Sequence, residues 1–334
     1  MKAKIYKNRI TTIPNFIDPL HELEPNGYGY QIDDIFVHVY GQDKNLYTLS
    51  HGLTVTEQIN QSADNLTQWI ENKFGAVELE DTLNDVGTVI DSVWRPGLYL
   101  YNDVKVALSI DEHEQRSAEL SLQILIEKLE EVFLYIEPSV HGLQTYSHKT
   151  RELLLLACTE VENSWKNYLE LANVQPRGRY FSTADYVSLV DVLFLNEYQV
   201  TLKAYNAVAP VRPFENWSAQ APSQSIPWYE AYNLTKHDKS QHFDKATLHH
   251  CISAITANLI MYCCRYSPFP LVNGNTMIAS LFNQLFQIEL VNADPKSFYV
   301  PKIQRIDNLN THLQMFDSER IIENWQKLPF SIEN

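Results

Sequence analysis

The sequence predicts an α+β N-terminal domain followed by a mainly α, up-and-down helical bundle. Three observations lead there. The hydrophobic period keeps switching before about residue 112, it settles to helical spacing over four or five long stretches from about residue 113, and those stretches are joined mostly by short connections. The expected boundaries are residues 1–112 for the α+β domain, 113–292 for the bundle and 293–334 for a C-terminal extension packing on the bundle. A chain of 334 residues with 45% hydrophobic content suffices for cores of this size.

In the first part, IDDIFVHVYG and KNLYTLSHG alternate β-branched and aromatic residues with polar ones, which predicts two strands joined at Gln42-Asp43-Lys44-Asn45. VTEQINQSADNLTQWIENKFG is expected to be a helix, with Ile59, Leu66, Trp69, Ile70 and Phe74 at helical spacing and Gly75 as its stop. GLYLYNDVKVALSID predicts two further strands around an Asn102-Asp103 turn.

In the second part, QRSAELSLQILIEKLEEVFLYIE sets Leu120, Ile124, Leu125, Leu129, Val132 and Phe133 along one helical face, with Pro138 as the stop. HKTRELLLLACTEVENSWKNYLELAN is the second bundle helix. TADYVSLVDVLFLNEYQVTLKAYN is the third, with Ser182 or Thr183 as its N-cap, DKATLHHCISAITANLIMYCCRY the fourth and NTMIASLFNQLFQIELV the fifth. Four prolines deny helix to the connection at 207–227, and its Phe214, Trp217 and Ile226 predict that it packs. The tail reads as a strand at SFYVPKI and a short helix at SERIIENWQKL.

The formal net charge is −15, and residues 1–112 hold 8 basic and 17 acidic side chains, so the acidity leans toward the N-terminal part. Such a balance repels phosphate backbones unless a local basic patch overrides it. GxxxxGK[ST], GxGxxG and HExxH are absent and glycines number only 10, which argues against nucleotide-driven and dehydrogenase chemistry; no cofactor is expected. Cys158, Cys251, Cys263 and Cys264 lie in apolar helical stretches without a CxxC, as buried reduced thiols in a cytoplasmic protein would. MKAKIYKNRITTIPNF lacks the apolar block of a signal peptide. CISAITANLIMYCC, at 14 residues, is too short to cross a bilayer, so no membrane partner is expected.

One stretch carries candidate chemistry, WYEAYNLTKHDKSQHFDK at 228–245. Pro227 suits the first turn of a helix and Ser225 its cap, which would place Tyr229, Asn233 and His237 along one face and Tyr232 and Lys236 on the neighbouring ridge. An imidazole, an amide and an ammonium then share a surface fit for acid/base work on a phosphodiester. The plainer alternative, a solvated helix entrance rich in capping residues, stays open. A metal site at His242, His249 and His250 has only Asp244 loosely to complete it, so no metal is expected. Arg177 and Arg179 in NVQPRGRYF either join a phosphate-binding patch with Lys236 and His237 or simply solubilise their loop.

The polar turn YNLTKHDK, ending in histidine and set before the last long helix of a bundle, resembles the HEPN superfamily. Its members are helical bundles that usually dimerise, and many are metal-independent endoribonucleases. Their motif is an arginine, then four to six residues often starting with Asn, then a histidine. Asn233 and His237 match the Asn and His, while Tyr232, Ala231 and Glu230 stand where the arginine belongs. The resemblance covers roughly residues 113–292. It implies catalysis by His237 with Asn233 orienting the phosphate, Lys236 or Lys239 replacing the arginine, and RNA contacts from Lys239, Tyr232, Arg177 and Arg179. It implies a homodimer acting on RNA, as a toxin or phage-defence effector. The second reading is a non-catalytic dimerisation or partner-binding module, in which the N-terminal domain recognises a protein partner.

Overall fold

The computed structural model describes residues 1–10, 26–41, 46–47, 49–59, 65–98, 101–304, 312–315 and 324–332. Its elements in chain order are β1 (Lys2–Lys7), β2 (Asn26–Ile32), β3 (Ile35–Gly41), β4 (Leu49–Gln58), α1 (Leu66–Phe74), β5 (Val77–Asp85), β6 (Thr88–Ile90) and α2 (Tyr101–Ala107). They continue as α3 (Glu112–Phe133), α4 (His148–Leu171), α5 (Thr183–Tyr186), α6 (Leu189–Val192), β7 (Tyr198–Leu202), α7 (Pro227–His237), α8 (Lys239–His242) and α9 (Leu248–Tyr266). The remainder are α10 (Phe269–Val272), α11 (Met277–Leu285), β8 (Phe286–Leu290), β9 (His312–Met315) and β10 (Gln326–Leu328). The chain divides into two compact units, one of Met1–Asp91, Arg95–Ala107 and Ala293–Leu328, the other of Ser92–Trp94, Leu108–Asn292 and Pro329–Asn334.

The first unit is built on an antiparallel sheet of order β5-β1-β2-β3-β4-β9. Every residue of β3 is buried, as expected of a central strand covered on both faces. Phe36, His38 and Tyr40 alternate onto the face that meets Trp69 and Phe74 of α1. Asn65 caps α1 by accepting the Gln68 N–H, and Gly75 ends it at φ 60, a left-handed position that glycine adopts without a Cβ clash.

Three expectations for this unit change. VTEQ extends β4 and leaves the helix to begin at Leu66. The two strands expected around Asn102-Asp103 are one helix, α2, because Val104, Ala107 and Leu108 are buried at spacing of three and four. Of the extension expected to pack on the bundle, Ala293–Leu328 joins this unit and Pro329–Asn334 the helical one: β9 pairs with β4, β10 runs parallel to β6, and the Arg95 Nε donates to Ser297 Oγ at 3.1 Å. SFYVPKI forms no named strand, and β10 replaces the end of the expected SERIIENWQKL helix. The rest of that segment and the Gln42–Asn45 turn lie outside the described residues.

The second unit is mostly helical, as expected. Its centre is α9, apolar and buried almost all round, which is the pattern of a helix enclosed by others. Both α3 and α4 pack on α9. The α4 interface is tied by the Asn258 amide, which donates across it to the Ala157 carbonyl and within α9 to the Ala254 carbonyl at 2.9 Å each, and by the Cys251 thiol on the Thr150 carbonyl at 3.0 Å. Asn258→Ala is expected to lower stability by about 1–3 kcal/mol, the cost of stranding a buried acceptor, read from urea unfolding followed by circular dichroism.

The face of α3 is rotated from the expected one. Leu122, Leu125, Ile126, Leu129 and Val132 are buried, while Leu120 and Ile124 are 43% and 49% exposed. The helix ends at Phe133, short of Pro138. The third expected helix is two single turns, α5 and α6, and then strand β7, the helical path being broken where Phe194 takes φ 54. Ser182 does head a capping box with Asp185. The fifth stops at Leu285, after which Phe286–Leu290 forms β8 and pairs antiparallel with β7. The proline-rich connection packs as expected, burying Phe214, Trp217 and Ile226.

Candidate functional site

Helix α7 runs unbroken from Pro227 to His237, so the i, i+4 relation between Asn233 and His237 holds. Its cap differs from expectation: Ile226 occupies the position without a side-chain bond, and Ser225 Oγ accepts from the Ser218 N–H at 3.0 Å. Trp228, Tyr229, Ala231, Tyr232 and Thr235 form the buried face, which packs on α4 and α9. Asn233 is half-buried, while Lys236 and His237 are exposed. The ridge therefore climbs from core to solvent along one helix.

What it meets on α4 is Glu162. The hydroxyls of Tyr229 and Tyr232 both donate to this carboxylate, Tyr232 at 3.0 Å. The Tyr232 oxygen in turn accepts from Lys236 Nζ at 2.7 Å, and that ammonium lies 4.7 Å from the Tyr232 ring centroid. Carboxylate, phenol and ammonium thus form one chain of hydrogen bonds. Burial and then the Glu162 charge push the Tyr229 hydroxyl far above the usual phenol range. Burial likewise raises Tyr232, although the Lys236 bond draws it down. The same bond raises Lys236, which stays a cation held in place.

Tyr232 was expected to contact RNA. It is 1% exposed and committed to Glu162 and Lys236, so its role is to fix the ammonium. Glu162→Ala is expected to destabilise the fold by about 1–3 kcal/mol for each phenol left without an acceptor, whereas Glu162→Gln, which keeps one, costs less. Thermal melts of the two variants check this.

A guanidinium also reaches the end of α7. Arg151 of α4 donates to the Thr235 carbonyl through Nε at 3.3 Å and Nη2 at 2.9 Å. It satisfies a carbonyl of the last helical turn and sets a positive charge at the C-terminal end of α7, where the helix dipole favours it. Lys239 lies 5.5 Å from the Phe243 ring centroid, just past Asp238, whose carboxylate accepts from Ser240 and Gln241.

The arginine loop has its own occupation. Arg177, 74% exposed, pairs with Asp185 at 3.6 Å, and Arg179 stacks on Tyr180 at 5.2 Å. Among the described residues, no hydrogen bond, ion pair or ring contact joins either arginine to Lys236 or His237. Nor do three His, Cys, Asp or Glu side chains there gather as a metal-binding group. The four cysteines are buried and free, and no described helix is long and apolar enough to cross a membrane.

Two residues of the site escaped the sequence reading. Glu162 lies four residues after Cys158 and three before Trp165, both fully buried, and Arg151 lies three before the fully buried Leu154. Charged residues on the buried face of an apolar helix were the available signal. No family model, curated protein or solved structure matches the chain.

Proposed function

We propose that the helical unit is a HEPN-like, metal-independent endoribonuclease of the toxin or phage-defence type, acting as a homodimer through His237. The observation that carries this reading is the composition of the last turn of α7: an exposed imidazole at His237, an ammonium fixed by Tyr232 at Lys236, and the Arg151 guanidinium of α4 on the carbonyl of Thr235, two residues before His237. Arg151 supplies, from another helix, the planar cation that the motif lacks at Tyr232, Ala231 and Glu230.

In this reading His237 takes the proton of a ribose 2′-OH while the 2′ oxygen attacks phosphorus. The bond to the 5′ oxygen breaks, and that oxygen receives a proton from a general acid, a role open to the second copy's histidine in the dimer. Asn233 orients a phosphate oxygen, and Lys236 with Arg151 offsets the charge that develops on the phosphate. The products are a 2′,3′-cyclic phosphate and a 5′-hydroxyl. Incubating the purified protein with RNA in excess chelator tests this: fragments with cyclic phosphate ends support it, and intact RNA under every condition overturns it.

A second reading, a non-catalytic dimerisation or partner-binding module, is favoured by one observation. The Lys236 ammonium is already bonded to Tyr232, and Tyr232 to Glu162, which offsets part of the charge a phosphate would need. It entails a stable complex recovered from cells, with a partner held by the N-terminal unit, and no cleavage.

A further inference from the structure

Beside the end of α7 lies a cluster of rings open to water. Tyr146 meets Phe243 edge-on at 5.4 Å between centroids, and His148 tilts against the same ring at 4.8 Å. Tyr146 is 47% exposed, and His148 is also exposed. Lys239 sits over Phe243. The backbone holds this group firmly: the Leu248 N–H donates to the Thr145 carbonyl at 3.0 Å, Tyr146 and Thr247 form an antiparallel bridge, and His250 Nδ1 meets the Lys245 carbonyl at 2.7 Å. The turn Phe243–Lys245 packs against α7, the helix that ends in His237.

An aromatic ring open to solvent, backed by other rings and flanked by cations, is the arrangement that holds an unpaired base. Every base has a π face to stack, and a neighbouring ammonium offsets the charge of an adjoining phosphate. The charge agrees. In a chain of net −15, residues 236–239 comprise two lysines, a histidine and one acid, and that acid is turned onto the first turn of α8.

We infer that Tyr146, packed edge-on against Phe243, whose ring also meets His148 and Lys239, is a stacking subsite for an unpaired base of single-stranded RNA. The inference rests on the ribonuclease reading for its substrate and extends it by specifying strandedness. In duplex RNA the base faces are stacked on one another and closed to such a ring.

The experiment uses the full chain carrying His237→Ala, so that RNA is not consumed. It follows the fluorescence anisotropy of a labelled oligoribonucleotide, alone and annealed to its complement. The single strand is expected to bind in preference to the duplex. Adding Tyr146→Ala raises the dissociation constant roughly ten-fold or more, and Tyr146→Phe, which keeps the ring, leaves it unchanged. Lys239→Ala lowers the salt dependence by about one phosphate contact. Equal binding of duplex and single strand overturns the inference, and so does an affinity indifferent to Tyr146→Ala. Self-association in sedimentation that Tyr146→Ala abolishes, with no RNA bound, assigns the rings to a second copy and overturns it too. The ribonuclease reading is tested separately, with His237 intact. Cleavage whose KM is untouched by Tyr146→Ala refutes the subsite and spares that reading. Tyrosine-dependent binding of single strands that are never cut does the reverse.

Discussion

On the proposed ribonuclease reading, replacing His237 with alanine is expected to slow metal-independent RNA cleavage by about 10²–10⁴-fold, the usual contribution of one positioned proton-transfer group. The imidazole stands exposed on the last residue of α7, and no hydrogen bond, ion pair or ring contact engages it among the described residues. Its truncation therefore opens no cavity, and stability should change by no more than about 0.5 kcal/mol. Because proton transfer belongs to the transition state, kcat and kcat/KM should fall together while KM stays near its original value. Single-turnover cleavage of end-labelled RNA, paired with a thermal melt, separates the outcomes. A rate unchanged by the substitution removes His237 from the mechanism, and a melting temperature that collapses with the rate shows that the ring holds structure instead.

The second large effect concerns the first unit and acid. His38 is fully buried in β3, stacked on Phe74 at 3.8 Å and edge-on to Tyr40 at 4.2 Å, and burial lowers its pKa to about 3 from the usual 6.5. Burial and then Tyr40 push the Tyr6 hydroxyl well above the phenol range, and that hydroxyl is hydrogen-bonded to His38 Nδ1 at 2.5 Å. Between pH 6.5 and about 3 the unfolded chain binds a proton at this site and the folded chain does not. Stability is thus complete above pH 6.5 and falls as the pH is lowered, with a slope approaching about 1.4 kcal/mol per unit. By pH 4 several kcal/mol should be gone, a large share of a typical domain's stability. Urea unfolding at pH 7, 6, 5 and 4 measures the slope, and His38→Phe, which keeps the stack on Phe74, should flatten it by about that amount. An equal slope in both proteins assigns the acid sensitivity to other groups.

The legible parts of the fold share a local cause. Gly75 stops α1 as expected, and α4 and α9 match their expected stretches, because caps and 3.6-residue periodicity act within a turn or two of chain. The misread parts share a non-local one. Whether YNDVKVA is helix or strand depends on what Val104 and Ala107 pack against, and β7 exists because β8 pairs with it across the chain. Leu120 and Ile124 fit a helical stripe as well as Leu122 and Ile126 do, and only packing on α4, α9 and α11 chose between the two faces.

The site divides in the same way. Tyr232, Asn233, Lys236 and His237 could be placed together from sequence because one continuous helix carries them at i, i+1, i+4 and i+5, a relation fixed by backbone geometry. Glu162 and Arg151 could not: they reach α7 from 67 and 84 residues away, and no local period encodes which turn of α4 will face which turn of α7. That pairing follows from burying two apolar helix faces against a common neighbour, α9. It is a sum over the whole unit's packing, and it lined an amphipathic segment that ends in a histidine with a carboxylate, two phenols, an ammonium and a guanidinium along its length.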